Sequence, residues 1–176
     1  MSRARSGAPE FSRPLPLARL GMQPFRQEIA ATEAERVALA RRFDLVALDR
    51  LSAVVELVRE GSERILLRAG FEAEFAQSCI ITLDPVVGTV AGRFGLLYGP
   101  PEAEDAAGGI DGDIAFEPLA GDTIDLGEAV AQEFSLALPP FPRSPGASVE
   151  DQMPLTEDTG PLAALARLLD RPGDAG

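Results

Sequence analysis

The sequence predicts an α+β fold: a curved antiparallel β-sheet of four to six strands with two short helices packed on it, an N-terminal arm and a C-terminal helix beyond a linker. Three observations carry that reading. Between Leu45 and Tyr98 apolar and polar residues alternate with period two, the mark of an antiparallel sheet with one solvated face. On either side of this run lie two short segments that open with helix N-caps, Thr32 and Asp125. Prolines and glycines punctuate both ends of the chain. At 176 residues, length favours one domain with tails.

The elements follow in order. Residues 1–30 read as an extended basic arm, and residues 31–142 as the domain. Thr32-Glu33-Ala34-Glu35 forms a capping box, in which Thr32 receives the N–H of Glu35 while the Glu35 carboxylate reaches back. It predicts a helix from Glu33 to Arg42 with Ala34, Val37 and Ala38 on one face. Ala53, Val55 and Leu57 then alternate with Val54, Glu56 and Val58, and Glu60-Gly61-Ser62 supplies a turn. In the clearest strand, Ile65, Leu67, Ala69, Phe71, Ala73 and Phe75 point one way and Arg64, Arg68, Glu72 and Glu74 the other. Gly70 is expected to mark a bulge or bend, and Ile80-Ile81 to extend the strand to the turn at Asp84-Pro85. A third long strand covers Val86–Tyr98, where Gly88, Gly92 and Gly95 allow curvature. A loop from Gly99 to Gly112 leads to a short strand around Ile114–Phe116.

Asp125, with Glu128 three residues on, opens the second helix, whose buried stripe is Leu126, Ala129, Val130 and Phe134. Gly127 weakens it by about 1 kcal/mol relative to Ala. The prolines of Leu138-Pro139-Pro140-Phe141-Pro142 end it. Residues 143–160 read as a linker and 161–170 as an amphipathic helix with Leu162, Leu165, Ala166 and Leu169 on one face. That helix either docks on the domain or serves as a tethered hook for a partner.

Composition excludes more than it names. All 16 basic residues are arginine, against 28 acids, for a net charge of −12. With no histidine, the usual general base and the commonest metal ligand are both missing. One cysteine rules out an intrachain disulfide and suits a reducing compartment. No apolar run reaches the roughly 20 residues of a membrane span, and the arginine-containing start has no secretory apolar core. The expected location is the cytoplasm. Residues 1–28 hold Arg3, Arg5, Arg13, Arg19 and Arg26 against Glu10 and Glu28; the rest is strongly acidic. An acidic body repels phosphate backbones and favours a basic protein partner, with RNA contacted through the arginine arm if at all, and with no DNA or membrane partner. A solubilising terminus is the alternative reading of that arm.

Candidate chemistry is sparse. Cys79 has no imidazole to activate it and reads as a small buried hydrophobe rather than a nucleophile. Asp111-Gly112-Asp113 lacks calcium-loop spacing and reads as a solvated turn. Glu72 and Glu74 are explained by an exposed sheet face. No catalytic residue, metal site or cofactor is expected.

The run Ser78-Cys79-Ile80-Ile81-Thr82-Leu83-Asp84-Pro85-Val86 resembles the C-x-x-[TC]-L-[DE]-P-V signature of the YceD-like family, described as large ribosomal RNA subunit accumulation proteins. Two segments agree: Thr32-Glu33-Ala34-Glu35-Arg36 through Leu45, and Ile124-Asp125-Leu126-Gly127-Glu128 through Pro139. The start Pro9-Glu10-Phe11-Ser12-Arg13-Pro14 is also similar. The resemblance implies a cytoplasmic bacterial protein needed for normal 23S ribosomal RNA levels. With no catalytic pair in the sequence, the expected role is that of a non-enzymatic binding factor, and the acidity of the body favours a basic ribosomal protein or assembly factor as first contact, with precursor RNA touched, if at all, by the arginine arm. Family members often carry a second cysteine where Thr82 stands, with further cysteines downstream that suggest a metal cluster; a lone Cys79 cannot build one. Cys79, Thr82, Leu83, Asp84 and Pro85 are therefore candidates either for shaping a turn or for touching a partner. The competing function is a small-molecule or lipid-binding module with a pocket in the curved sheet.

Overall fold

The computed structural model describes residues 9–61, 63–101, 114–119 and 121–148. In chain order it forms β1 (Pro14–Pro16), a 3-10 turn at Leu17–Arg19, β2 (Phe25–Ala30), α1 (Glu33–Arg42), β3 (Ala47–Glu60), β4 (Arg64–Ser78), β5 (Pro85–Gly99), β6 (Ile114–Pro118), β7 (Thr123–Asp125) and α2 (Leu126–Ala137). β2-β3-β4-β5-β6 make one open five-stranded sheet; β1 and β7 pair separately. The fold is α+β, as expected. The sheet is mixed rather than wholly antiparallel, because β6 runs parallel to β5. The stretch between Gly99 and Ile114 is long enough for the crossover that a parallel neighbour requires.

Long strands form where the alternation is strongest. Ile65, Leu67, Ala69, Phe71, Ala73 and Phe75 are all buried on one face of β4. They meet Leu51, Ala53, Val55 and Leu57 of β3 and Leu96 and Tyr98 of β5 in a single core. Gly61 makes the β3–β4 turn with φ +73°, a conformation that costs glycine little. The bulge expected at Gly70 does not occur. Val54, Gly70 and Arg93 stay in register across three strands, and the only shift between β3 and β4 lies between Leu48 and Arg50. Gly88 and Gly92 instead make room for rings. A Cβ at Gly88 would stand 2.9 Å from the Phe75 ring, and one at Gly92 2.7 Å from that of Phe71.

α2 covers the core. Its Asp125 cap accepts the N–H groups of Gly127 and Glu128 at 3.0 and 3.1 Å. Phe134 sits fully buried at the centre, with ring centroids 5.8, 6.5 and 6.0 Å from Phe43, Phe71 and Phe75. α1 packs on β3 and shows the capping box, Glu35 N–H to Thr32 Oγ1 at 3.4 Å and Thr32 N–H to Glu35 at 2.8 Å.

The arm requires correction. From Phe11 onward it is extended but not free: β1 pairs with β7, and β2 pairs with β3 along its whole length. Phe11, Leu15, Leu20 and Ile29 are buried in the core, so residue 31 is not a domain boundary. Prolines flank Leu15 without harm because β1 is a short edge strand. The strand expected through Ile80-Ile81 also stops earlier, at Ser78. The expected C-terminal helix, most of the linker, and Arg3 and Arg5 lie outside the described residues.

Candidate functional site

The β4–β5 connection is built around a sulfur atom. After Ser78 the chain leaves the sheet, and Cys79 Sγ accepts the N–H groups of Ile81 and Thr82, each at 3.5 Å. A third N–H comes from Ser144 at 3.3 Å. The loop is closed by Cys79 N–H to Asp84 O at 2.8 Å and Leu83 N–H to Cys79 O at 3.0 Å. Thr82 Oγ1 accepts the Asp84 N–H at 3.4 Å. Leu83 takes a left-handed φ of +64°, unusual for a branched side chain, and this lets the turn fold over the sulfur. Cys79 itself is 0% exposed. The Thr82 hydroxyl and the converging N–H groups draw its thiol down to about 6, against the opposing effect of burial. A proline-rich strap after α2 is tied to the same turn. Gln77 donates to Pro139 O at 3.2 Å, and the Ile80 N–H to Pro142 O at 3.0 Å.

The five motif residues are thus together but divide into two roles. Cys79 and Thr82 face inward and shape the turn; Leu83, Asp84 and Pro85 face solvent. With Leu83 at 76% and Phe141 at 72% exposed, and with Ile80 and Val87 also open, large apolar side chains are concentrated at this end of the fold.

The sulfur environment does not fit a tetrahedral thiolate metal site. Cys79 is a single ligand already committed to amide and hydroxyl donors. Among the described residues, no three His, Cys, Asp or Glu side chains are placed to hold an ion. Among the described residues, the hydrogen-bond partners of Cys79 Sγ are the Ile81, Thr82 and Ser144 N–H groups and the Thr82 hydroxyl.

The arginines expected to form a basic arm separate as well. Arg13 is structural: its guanidinium grips Glu35 at 2.7 Å and the Ser12 and Ala30 carbonyls at 2.7 and 2.9 Å. It also lies 4.7 Å from the centre of the Phe11 ring. Its backbone N–H reaches Asp125 at 2.7 Å. That grip, with the Thr32 bonds, holds the Glu35 carboxyl down to about 2. Arg19 and Arg26 are exposed.

One network escaped sequence reasoning. Arg42 joins Glu128 through two bonds of 2.8 and 2.7 Å and Glu10 through one of 2.9 Å, tying α1, α2 and the N-terminal segment together. Glu128 is correspondingly held below the usual carboxylate range. The only sequence signals are a basic residue in the last turn of α1 and an acid in the first turn of α2, each favourable to its own helix dipole.

On the solvated face, a groove of about 720 Å³ crosses the sheet. Ser52, Val54, Gly70 and Ala91 are among its small lining residues, and Glu28, Arg50, Glu72 and Arg93 supply charge. It is open and partly polar, unlike an enclosed apolar ligand cavity.

Residues 67–166 match the family model of YceD, the large ribosomal RNA subunit accumulation protein. The chain belongs to the YceD family. The match begins within β4 and takes in the Cys79–Pro85 turn, β5 and α2, while β1, β2 and α1 precede it. The description of the YceD family implies a role in accumulation of large-subunit ribosomal RNA. No curated protein and no solved structure matches the chain. Among the described residues, no helix is long and apolar enough to cross a membrane.

Proposed function

We propose that the chain is a non-enzymatic cytoplasmic factor that supports 23S ribosomal RNA accumulation and large-subunit biogenesis by binding a basic protein of the precursor particle. One observation carries the structural side of this reading: the family-matched turn presents Ile80 and Leu83 outward on a scaffold held by Cys79, with Phe141 close by on the strap. A turn tied to two parts of the chain loses little conformational freedom on docking. The acidic surface complements a basic partner and speeds the encounter. Arg19 and Arg26 remain available for phosphate contact, while Arg13 is occupied within the fold.

The test is the ratio of 23S to 16S ribosomal RNA in cells depleted of the chain. A selective fall, restored by the wild-type chain but not by Leu83→Asp with Phe141→Asp, is the expected result. An unchanged ratio on depletion overturns the reading. Full rescue by the double variant overturns the role of the turn.

A further inference from the structure

The two edges of the main sheet differ. β2 forms one edge with six residues and carries Arg26 and Glu28, the short charged kind of edge that resists pairing. On the other side, among the described residues, β6 covers β5 from Gly95 to Gly99. From Pro85 to Phe94, β5 pairs with β4 along one flank, and among the described residues no backbone group pairs with the other. This stretch is rich in valine, contains one charged residue, Arg93, and keeps unbroken register with β4. It lacks the charges and bulges that normally blunt an edge of such length. Among the described residues this row of N–H and C=O groups has no partner strand, and such a row is the template to which an extended peptide adds as a strand.

We propose that the outer edge of β5 between Val86 and Phe94 takes up an extended lysine- or arginine-rich segment of a protein partner as an additional strand. The inference rests on the binding role proposed above and names the surface and the form of the partner. The carboxylates point to a basic occupant, while Arg93 holds the Phe94 end of the same face. On the solvated face, Thr89 stands opposite Glu74 of β4, and Ala91 opposite Glu72. Both carboxylates are more than half exposed, and their ion pairs with Arg50 are long, 3.7 and 3.5 Å. An added strand lies about 10 Å from β4, two strand spacings. Thr89 and Ala91 are short enough for a long basic side chain to pass over them to Glu74 and Glu72. At the Pro85 end, exposed Val87 and Leu83 offer contact for an apolar side chain of the same segment. A second copy of the chain would set a net charge of −12 against another. Nucleic acid would meet Glu72 and Glu74 with its phosphates and leave the row of backbone groups unpaired.

The experiment follows amide hydrogen exchange by NMR in the full chain. The probe is a synthetic octapeptide of alternating lysine and valine, with the alternating glutamate and valine peptide as control. The lysine peptide should slow exchange at least tenfold at outward-facing amides of Val86–Phe94, and the control should not. Thr89→Lys with Ala91→Lys should weaken binding at least fivefold, and Thr89→Glu with Ala91→Glu should tighten it. Both positions are exposed, and unchanged melting temperatures establish that the variants fold. Protection elsewhere, equal binding of both peptides, or no binding overturns the proposal. So does protection present without peptide: if it is lost on dilution the occupant is a second copy, and if it persists the chain covers its own edge. Complementation separates the two readings. If depletion lowers 23S RNA and the lysine double variant restores it fully, the edge proposal fails and the ribosomal role stands. If depletion leaves 23S RNA unchanged, the ribosomal role fails and the exchange data alone decide the edge.

Discussion

Gly127→Ala should destabilise the protein even though it improves the helix former at that position. Helix propensity alone favours the change by up to about 1 kcal/mol. The neighbours oppose it. A Cβ at Gly127 would stand 2.5 Å from the Phe11 carbonyl oxygen, 2.9 Å from its carbon and 3.1 Å from Arg13 N. All three are backbone atoms and cannot rotate aside, so α2 and the Phe11–Arg13 segment must separate by about 1 Å to reach ordinary contact. That movement stretches Leu126 N–H to Arg13 O, now 3.1 Å, and Arg13 N–H to Asp125 Oδ1, now 2.7 Å. Overpacking costs about 1–3 kcal/mol, and each weakened bond about 0.5–1.5 kcal/mol. Set against the propensity gain, the net loss is about 2 kcal/mol. In urea, with a slope of about 2 kcal/mol/M, the midpoint should fall by about 1 M. Ser135→Ala, on the same helix with its hydroxyl bonded only to Gln132 O, should shift stability by no more than about 0.5 kcal/mol. A Gly127→Ala midpoint equal to or above wild type would refute the close approach of α2 to the N-terminal segment.

Phe134→Ala, which empties the centre of the aromatic cluster, should cost about 3–5 kcal/mol in urea unfolding, whereas the exposed Phe141→Ala should cost under about 0.5 kcal/mol. The depressed Glu35 carboxyl, ordinarily 4.5 and about 2 in the fold, stays charged where the unfolded chain takes up a proton. Its stabilisation is complete above pH 4.5 and is lost as pH falls towards 2, so Glu35→Gln should flatten the acid limb of a stability–pH curve. Cys79→Ala leaves the Ile81, Thr82 and Ser144 N–H groups without their sulfur acceptor. It should cost about 1–3 kcal/mol and accelerate amide exchange at those residues. Although its thiol is lowered to about 6, Cys79 is fully buried and should alkylate with iodoacetamide at least about tenfold more slowly in the folded than in the unfolded chain.

What the sequence made legible was local. The Thr32–Glu35 box, the Asp125 cap and the alternation along β4 each express a short-range rule, and the structure has each in place. What it concealed depends on partners far along the chain. β1 is a single leucine between two prolines, too short for a period, and becomes a strand only because Ile124 stands opposite Leu15. Arg13 reads as one more positive charge of a mobile end until Glu35 and Asp125 surround it. The glycines of β5 suggest bending, while their cross-strand neighbours Phe75 and Phe71 need the space. Within the turn motif, the five residues that the sequence singles out lie together in one loop. The division between inward Cys79 and Thr82 and outward Leu83 comes from a single left-handed φ angle, which no side-chain pattern encodes.

The union of Arg13 with Asp125, 112 residues apart, also sets an order of events during synthesis. At about 5–20 residues per second, Phe11 and Leu15 leave the ribosome several seconds before the residues that bury them. The β3–β4 hairpin, whose ends meet across a short turn, can form in that interval, and β1 can be seated only after β7 appears. Folding is therefore gated by the arrival of the later partner, and the N-terminal segment is among the last parts of the domain to become sheltered from proteases and from other nascent chains.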